Sequence, residues 1–147
     1  QDLGRADPGA LAQALAEKDA VHLLGPPEGY LALAQAAVYL ATTPKSNALY
    51  RAYGAATRDV QETMNEPVPL HIRNAPTRLM SELGYGKGYR YAHDAEDAFA
   101  PEQTHLPDNL ADRTYYRPTD RGFEKTVGER LASWRALVRR ARKKENP

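Results

Sequence analysis

The stretch LALAQAAVYLA, residues 31–41, decides the fold class, because nearly every residue in it is apolar and only Gln35 interrupts the run. Alanine is a strong helix former, and its small side chain lets neighbouring helices approach closely. A helix without a polar face is normally buried on all sides. We therefore expect this segment to be the buried central helix of a compact all-α bundle.

A first helix is predicted before this segment. Asp7-Pro8 is a favourable start, because Asp accepts an N-cap hydrogen bond and Pro is tolerated at the first helical position. The helix should reach about Leu24, where Gly25-Pro26-Pro27 ends it. Pro27 and Glu28 then begin the central helix.

A third helix is predicted after Thr42-Thr43-Pro44, with Ser46 or Asn47 as its cap. Apolar residues recur at three- and four-residue steps and should form its buried stripe: Leu49, Tyr53, Ala56, Val60 and Met64. Polar residues occupy the other faces, as in an amphipathic helix: Arg51, Arg58, Asp59 and Glu62.

The second half of the chain begins with NEPVPLHIRNAP, residues 65–76, whose three prolines predict an ordered crossing loop. Asn74 or Thr77 can cap a short helix to Leu83, with Gly84 as its C-terminal cap. The segment from Tyr85 to Arg117 shows no sustained periodicity and should be irregular, with short helical turns. A long irregular segment of this kind indicates a functional or interface role.

The last helix is the most clearly marked one, with Thr119 or Asp120 as its cap. One apolar stripe runs along it: Phe123, Val127, Leu131, Trp134, Val138 and Ala141. The stripe predicts that Trp134 is buried.

Composition fits one domain over residues 1–147, since the chain is 41% hydrophobic and of common domain size. It contains no cysteine, so packing rather than disulfides or thiolate metal sites must stabilise it. Mean hydropathy is −0.68, and no apolar run approaches the roughly 20 residues of a membrane-spanning helix. We expect a cytoplasmic protein, and the opening QDLGRADP, without an initiator Met or a targeting segment, indicates a fragment of a longer chain.

Charge is unevenly distributed although the net charge is only +1. One stretch is acidic: Asp94, Glu96, Asp97, Glu102, Asp108 and Asp112. The C-terminal end is basic, and six of its cations are candidate nucleic-acid contacts: Arg135, Arg139, Arg140, Arg142, Lys143 and Lys144. The alternative for these cations is a solvated helix end favoured by the helix dipole. Contact between the acidic and basic stretches is expected, within or between chains.

Tyrosine and arginine alternate around the acidic stretch, and eight of these residues are candidate interface residues: Tyr85, Tyr89, Arg90, Tyr91, Arg113, Tyr115, Tyr116 and Arg117. Both residue types are favoured at protein interfaces. The same mixture stacks on bases and neutralises phosphates in nucleic-acid binding. The adjoining carboxylates favour the interface interpretation.

The sequence contains no recognisable catalytic, nucleotide-binding or metal-binding motif. GYGKGY, residues 84–89, lacks the glycine spacing and the hydroxyl residue of a phosphate-binding loop, and a turn after a helix cap explains it better. His93 with Asp94, Glu96 and Asp97 has no specific metal-ligand pattern. The three serines lie outside any recognisable nucleophile motif. We predict no enzyme activity, no metal and no cofactor for this chain itself.

Two long runs carry a family resemblance: PVPLHIRNAPTRLMSELGYGKGYRYAHD at residues 67–94, and LPDNL with YYRPTDRGFEKTVGERLASWR between residues 106 and 135. They resemble the C-terminal region of the replication-associated recombination protein A family of bacterial AAA+ ATPases. That family is similar to the eukaryotic Werner-helicase-interacting protein. The earlier run from residue 6 to residue 52 fits the same family.

The resemblance implies a helical domain like the oligomerising collar that follows the ATPase core in clamp-loader subunits, associated here with homotetramers. ATP and magnesium are implied for the upstream ATPase domain of the parent and for no residue of this chain. Implied partners are a second copy of the chain, the upstream ATPase domain, DNA through the parent and single-strand-binding protein, without a membrane. Three hypotheses therefore stand for a nucleoid-associated replication-fork protein: an oligomerisation domain, a DNA-binding module and an independent enzyme.

Overall fold

The computed structural model describes residues 2–63, 66–95 and 98–145, and within these ranges it holds five α-helices and no β-strand. The helices are α1 Ala10–Leu24, α2 Gly29–Thr42, α3 Ala48–Thr63, α4 Arg78–Glu82 and α5 Phe123–Glu145. Short 3-10 helices occupy Leu70–Ile72, Ala92–Asp94 and Asp108–Leu110. The predicted all-α class is confirmed.

Contacts divide the chain into two units. Unit 1 comprises Gln1–Ala55 and Tyr115–Arg130, and unit 2 comprises Ala56–Thr114 and Leu131–Pro147. The divisions fall within α3 and α5. That residues 1–147 act as one domain stays a prediction.

In unit 1, α1 packs against α2. Helix α1 begins at Ala10, three residues after the predicted cap, although the Asp7 carboxylate does accept the Gly9 N–H at 2.9 Å just before it. Its end at Leu24 is as predicted. Helix α2 begins at Gly29 rather than at Pro27.

Helix α3 begins as predicted, because the Ser46 hydroxyl oxygen accepts the Ala48 N–H at 3.1 Å. Helix α5 begins later than predicted, at Phe123. Its preceding residue, Gly122, has φ +51°, and a Cβ there would lie 2.2 Å from the Ala6 carbonyl oxygen. The Phe123 N–H donates to that oxygen at 2.8 Å, so a glycine is what allows the two backbones to meet.

In unit 2, the Thr77 hydroxyl accepts the Met80 N–H at 3.3 Å and caps α4 as predicted. Gly84, with φ +87°, follows the end of α4, and its N–H donates to the Ser81 carbonyl at 3.0 Å. Between α4 and α5 only turns and 3-10 helices occur among the described residues, which confirms the irregular segment.

The prediction that α2 is the buried central helix is wrong. Of its residues only Gly29 is buried, while Leu31 is 78% and Val38 65% exposed. One side of α2 is partly covered, and that side carries Ala32, Ala36 and Tyr39. The run between Leu31 and Ala41 has apolar residues on every face, so periodicity could not reveal that one face is left uncovered by the described residues.

The predicted buried stripes of α3 and α5 also need correction. On α3 the buried residues are Ala48, Ala52 and Asp59, whereas Tyr53 is 73% exposed and Leu49 and Val60 are exposed too. Met64 lies outside the described residues. On α5, Trp134 is 39% exposed, and the buried side chain is Glu124. On α3 the described large apolar residues of the predicted stripe are exposed, whereas on α5 Phe123 and Trp134 are exposed and the rest of the stripe is partly covered.

Candidate functional site

An apolar surface without cover is the most prominent feature of unit 1. Eleven large apolar side chains on its three helices have at least 49% of their surface exposed: Leu11, Leu15, Leu23, Leu24, Tyr30, Leu31, Leu33, Val38, Leu49, Tyr50 and Tyr53. Monomeric proteins rarely expose contiguous apolar patches of more than a few hundred Å². Such a surface is typical of a protein–protein contact.

The outer face of α2 has a regular pattern. Leu31, Ala34, Val38 and Ala41 are all exposed and follow one another at steps of three and four residues. This spacing places them in one row along the helix. No charged residue occurs from Gly29 to Thr42, so only an apolar partner surface would suit this face.

A groove of about 750 Å³ lies in the same unit, between the N-terminal segment and the first three helices. Leu3, Leu11 and Leu40 line it together with Leu49 and the aromatic pair Tyr50 and Tyr53. Its lining is mainly apolar, with Arg5 and Asp7 as its charged members. Leu49 and Tyr53 of α3, which sequence periodicity assigned to the core, therefore belong to a surface groove.

Two carboxylates, those of Glu124 and Asp7, accept several hydrogen bonds within unit 1. Glu124, fully buried, accepts hydrogen bonds from the Ser46 hydroxyl at 2.7 Å and from the Thr119 N–H, the Thr119 hydroxyl and the Tyr116 hydroxyl, each at 2.8 Å. Asp7 accepts the Tyr39 hydroxyl at 2.7 Å and the Thr43 hydroxyl. Both groups hold together segments that are distant in sequence.

These contacts shift the pKa of the groups involved. Burial raises the pKa of Glu124, but the hydrogen bonds from Ser46, Thr119 and Tyr116 together outweigh it, and the pKa lies below its ordinary value. Burial, and then the hydrogen bond to Glu124, raises the pKa of Tyr116 to about 12. The bonds from Thr43 and Tyr39 lower the pKa of Asp7.

The eight predicted Tyr and Arg interface residues are divided between the two units. Five lie in unit 2, and Tyr115, Tyr116 and Arg117 lie in unit 1. Several have partners within their own unit: Tyr85 with Arg73, Arg90 with Glu102, Arg113 with Asp59, and Tyr116 with Glu124. Tyr89 and Tyr91 are more than half exposed. Their role at an interface stays a prediction.

The six predicted nucleic-acid cations lie on more than one face of α5. Arg135, Arg139 and Arg142 share one face by helical spacing, and Arg142 contacts Asp112 at 3.3 Å and the Ala111 carbonyl at 3.4 Å. This pair confirms the expected contact between the acidic and basic stretches. Arg140, Lys143 and Lys144 instead line a groove of about 660 Å³ in unit 2.

Arg90, which belongs to the irregular segment, lines the same groove as these cations of α5. The other lining residues are Pro101, Glu102, Leu137 and Ala141. The Arg90 side chain pairs with Glu102, and its N–H donates to the Gln103 side chain at 2.9 Å. The guanidinium lowers the pKa of Glu102, after the larger effect of a backbone hydrogen bond. Arg90 is a predicted interface residue and Arg140 a predicted nucleic-acid contact, and nothing in the sequence links the two because 50 residues separate them.

GYGKGY forms the turn after α4, as predicted. The N–H groups of Tyr85, Gly86, Lys87 and Tyr89 already donate to the carbonyls of Met80, Leu70, Gly84 and Gly86. A phosphate-binding loop needs such amides to point at the ligand. These four amides are therefore engaged within the protein in this conformation.

Neither a metal-binding cluster nor a membrane-spanning helix occurs among the residues that the structure describes. No group of three or more His, Asp or Glu side chains there is arranged to hold a metal ion, and Glu96 and Asp97 of the acidic cluster lie outside those residues. Within the same ranges, no helix has both the length and the apolar character to cross a membrane.

The chain is similar to a known protein family and to several known proteins. The profile of the family described as "MgsA AAA+ ATPase C terminal" matches residues 1–135. Replication-associated recombination protein A of Escherichia coli strain K12 is 51% identical over 132 residues, which are 90% of this chain and 30% of that protein. The protein of the same name from Coxiella burnetii is 52% identical over 137 residues, 93% of this chain and 31% of its own length.

A eukaryotic relative extends the comparison. ATPase WRNIP1 of Dictyostelium discoideum is 39% identical over 116 residues, which are 79% of this chain and 13% of that ATPase. The chain thus spans less than a third of the length of the relatives it matches here.

Proposed function

The chain belongs to the family of MgsA AAA+ ATPases, as their C-terminal region, and on that premise we propose that it assembles the parent ATPase by self-association. The observation that carries the proposal is the uncovered apolar surface of α1, α2 and α3. Removing a large aliphatic side chain from water contributes roughly 1.5–3 kcal/mol. A handful of such residues would therefore supply the stability of a permanent contact.

A second copy is the partner that best suits the outer face of α2. The row formed by Leu31, Ala34, Val38 and Ala41 alternates large and small residues at the spacing used when helices pack side by side. Because the helix carries no charge, the surface opposite must be apolar as well. The same helix in another copy, related by a two-fold axis, meets this condition without any further component.

Assembly beyond a dimer requires a second contact surface, and unit 1 offers one in the groove lined by Leu11, Leu49, Tyr50 and Tyr53. A tetramer with two kinds of two-fold contact needs two self-complementary patches on each subunit. We propose that the outer face of α2 and this groove serve as the two patches. We therefore propose a homotetramer.

The remaining roles belong to the parent protein. We propose that an upstream ATPase domain binds ATP and magnesium and acts in replication-associated recombination, as the names of the relatives indicate. We propose that this chain contributes assembly rather than catalysis, since GYGKGY lacks the spacing of a phosphate-binding loop and four of its amides bond to carbonyls of the chain. Contact with DNA and single-strand-binding protein, and a cytoplasmic, nucleoid-associated location, are proposed for the assembled parent.

Light scattering on the 147-residue chain tests the proposal directly. The expected result is a molar mass of four chains, or of two at low concentration, against a chain mass of 16.3 kDa. A chain that stays monomeric at about 100 µM, some hundredfold above the micromolar dissociation constants of weak assemblies, would contradict self-association.

A second function, direct contact with nucleic acid, is favoured by the cations of α5. Asp112 engages Arg142, while Arg139, Arg140, Lys143 and Lys144 are exposed. Exposed cations neutralise phosphates, and such binding weakens as salt is added.

A further inference from the structure

We propose that the groove between Arg90 and α5 binds a single strand of nucleic acid, through cations that take the phosphates and tyrosines that stack on the bases. The proposal rests on the second function above and gives it a place and a ligand. It is independent of self-association, since the groove lies in unit 2 and the apolar surface of α1 and α2 in unit 1.

The groove is built on one face of α5. Leu137, Arg140, Ala141 and Lys144 follow one another at steps of three, one and three residues, and Lys143 lies beside them. Arg142, between them in sequence, lies on a different face and contacts Asp112. Arg142 therefore forms an ion pair on one face of α5, while Arg140, Lys143 and Lys144 line the groove.

Arg90 distinguishes the groove from an ordinary basic helix end. Cations near a helix C-terminus need no ligand to explain them, because the helix dipole favours them. An arginine from a distant loop has no such reason to lie in the same groove. Its partner Glu102 is the groove's acidic residue, so the lining keeps an excess of three positive charges.

The cations contributed by α5 are available to a ligand. Arg140, Lys143 and Lys144 form no ion pair with any carboxylate in the part of the chain that the structure describes. Pro101, Leu137 and Ala141 give the groove apolar surface between the charges. A groove lined by cations together with apolar side chains suits a ligand whose negative charges alternate with flat apolar groups.

Exposed aromatic rings favour a single strand over a duplex. Tyr89 and Tyr91 are more than half exposed and flank Arg90 in sequence, and the ring centroid of Tyr91 lies 5.0 Å from that of His93. Unpaired bases stack on such rings, and this stacking is tolerant of sequence. In a duplex the bases are stacked inside, so the tyrosines would add nothing to phosphate contacts.

Fluorescence anisotropy with a labelled 20-nucleotide oligo-dT tests the groove on the 147-residue chain. The groove variant Arg140→Gln/Lys143→Gln/Lys144→Gln is compared with Lys18→Gln/Lys125→Gln/Arg130→Gln, which removes the same charge from exposed positions outside the groove. We expect about a tenfold or greater loss of affinity in the groove variant and about threefold or less in the control. The salt slope should fall by roughly 2 when three phosphate contacts are lost.

A second variant and a second ligand test the strandedness. Tyr89→Ala/Tyr91→Ala should weaken oligo-dT binding by about fivefold or more and leave binding to a 20-base-pair duplex unchanged. Circular dichroism and light scattering establish that each variant keeps its helical content and its assembly. Affinity for a 20-residue poly-glutamate peptide is measured in parallel.

Each outcome decides a separate point. Equal losses of oligo-dT affinity in the groove and control variants would show that the strand does not bind in the groove. Only diffuse electrostatic attraction would then remain. Duplex binding as tight as oligo-dT binding, unaffected by the tyrosine variant, would overturn the single strand but preserve DNA contact. Tighter binding of poly-glutamate would assign the groove to an acidic protein instead. Absence of any nucleic-acid binding at 50 mM salt would overturn both the inference and the second function.

Discussion

The Ser46 hydroxyl group donates a 2.7 Å hydrogen bond to the Glu124 carboxylate, and so joins the start of α3 to the first turn of α5 across 78 positions of sequence. Three more hydrogen bonds, from Thr119 and Tyr116, complete the coordination of this carboxylate. A buried carboxylate is stable only when its lone pairs are satisfied in this way. Unit 1 therefore depends on a polar cluster at a point where its helices supply only small apolar side chains.

Replacing Glu124 by Gln should destabilise the fold and change its pH dependence. The amide nitrogen of Gln would face donors rather than accept from them, at a cost of roughly 2–4 kcal/mol at pH 7. Because the pKa of Glu124 is lowered in the folded chain, its contribution is complete above the ordinary value of 4.5 and is lost as the pH falls below it. Urea denaturation followed by circular dichroism between pH 7 and pH 3 measures both effects.

Glu129→Gln is the matched control for that experiment, since Glu129 lies on the same helix and is exposed. It should follow the wild-type stability within about 0.5 kcal/mol at each pH. Equal acid sensitivity in wild type and in Glu124→Gln would contradict the role assigned to the buried cluster.

Trp134→Ala should cost less than the removal of a buried aromatic. Full burial would make the loss about 3–5 kcal/mol, but Trp134 is 39% exposed, and roughly 2 kcal/mol is expected. Its ring stacks on Phe99, with centroids 5.1 Å apart. A double-mutant cycle with Phe99→Ala should give a coupling energy of about 0.5–1.5 kcal/mol. A coupling energy of zero in thermal denaturation would show that the stack does not stabilise unit 2.

Local sequence signals predicted most helix ends correctly. Features that depend on contacts between residues distant in sequence could not be predicted in this way. Ser46, Thr77 and Gly84 act at the helix ends where their side chains or backbone freedom suggested, because capping depends on neighbours within four residues. Thr119, by contrast, was expected to cap α5 and instead binds the side chain of Glu124. That alternative involves a buried carboxylate, which no periodic pattern reveals.

Burial was predicted least well, and for a definite reason. Apolar periodicity shows which residues leave water, but not whether the surface that covers them belongs to the same chain. Leu31, Val38 and Tyr53 have the pattern of a core and lie exposed in a single chain. The groove at Arg90 was missed for a related reason, since only the fold places it beside Arg140.

Gly122→Ala should be strongly destabilising. The new Cβ would lie 2.2 Å from the Ala6 carbonyl oxygen, and φ at this position is +51°, so neither backbone can move without losing the bond between Phe123 and Ala6. A loss of roughly 2–4 kcal/mol is expected. Gly54→Ala in α3 is the control, because a Cβ there meets nothing within 4 Å and alanine favours the helix by about 0.5–1 kcal/mol. Thermal melts of the two variants should therefore shift in opposite directions.

Charge on the outer face of α2 should prevent self-association without unfolding the chain. Leu31→Glu/Val38→Glu places two carboxylates in a row that is exposed in the single chain, so its helical content should be unchanged. In an assembled state the same carboxylates would be buried opposite each other, which costs several kcal/mol. We expect light scattering to report at most half of the wild-type molar mass. Leu79→Glu/Leu83→Glu, the same change at exposed leucines of α4 and its C-cap, should leave the mass unchanged. If instead this second variant dissociates the assembly and the first does not, the contact surface lies in unit 2 and the assignment to α2 is wrong.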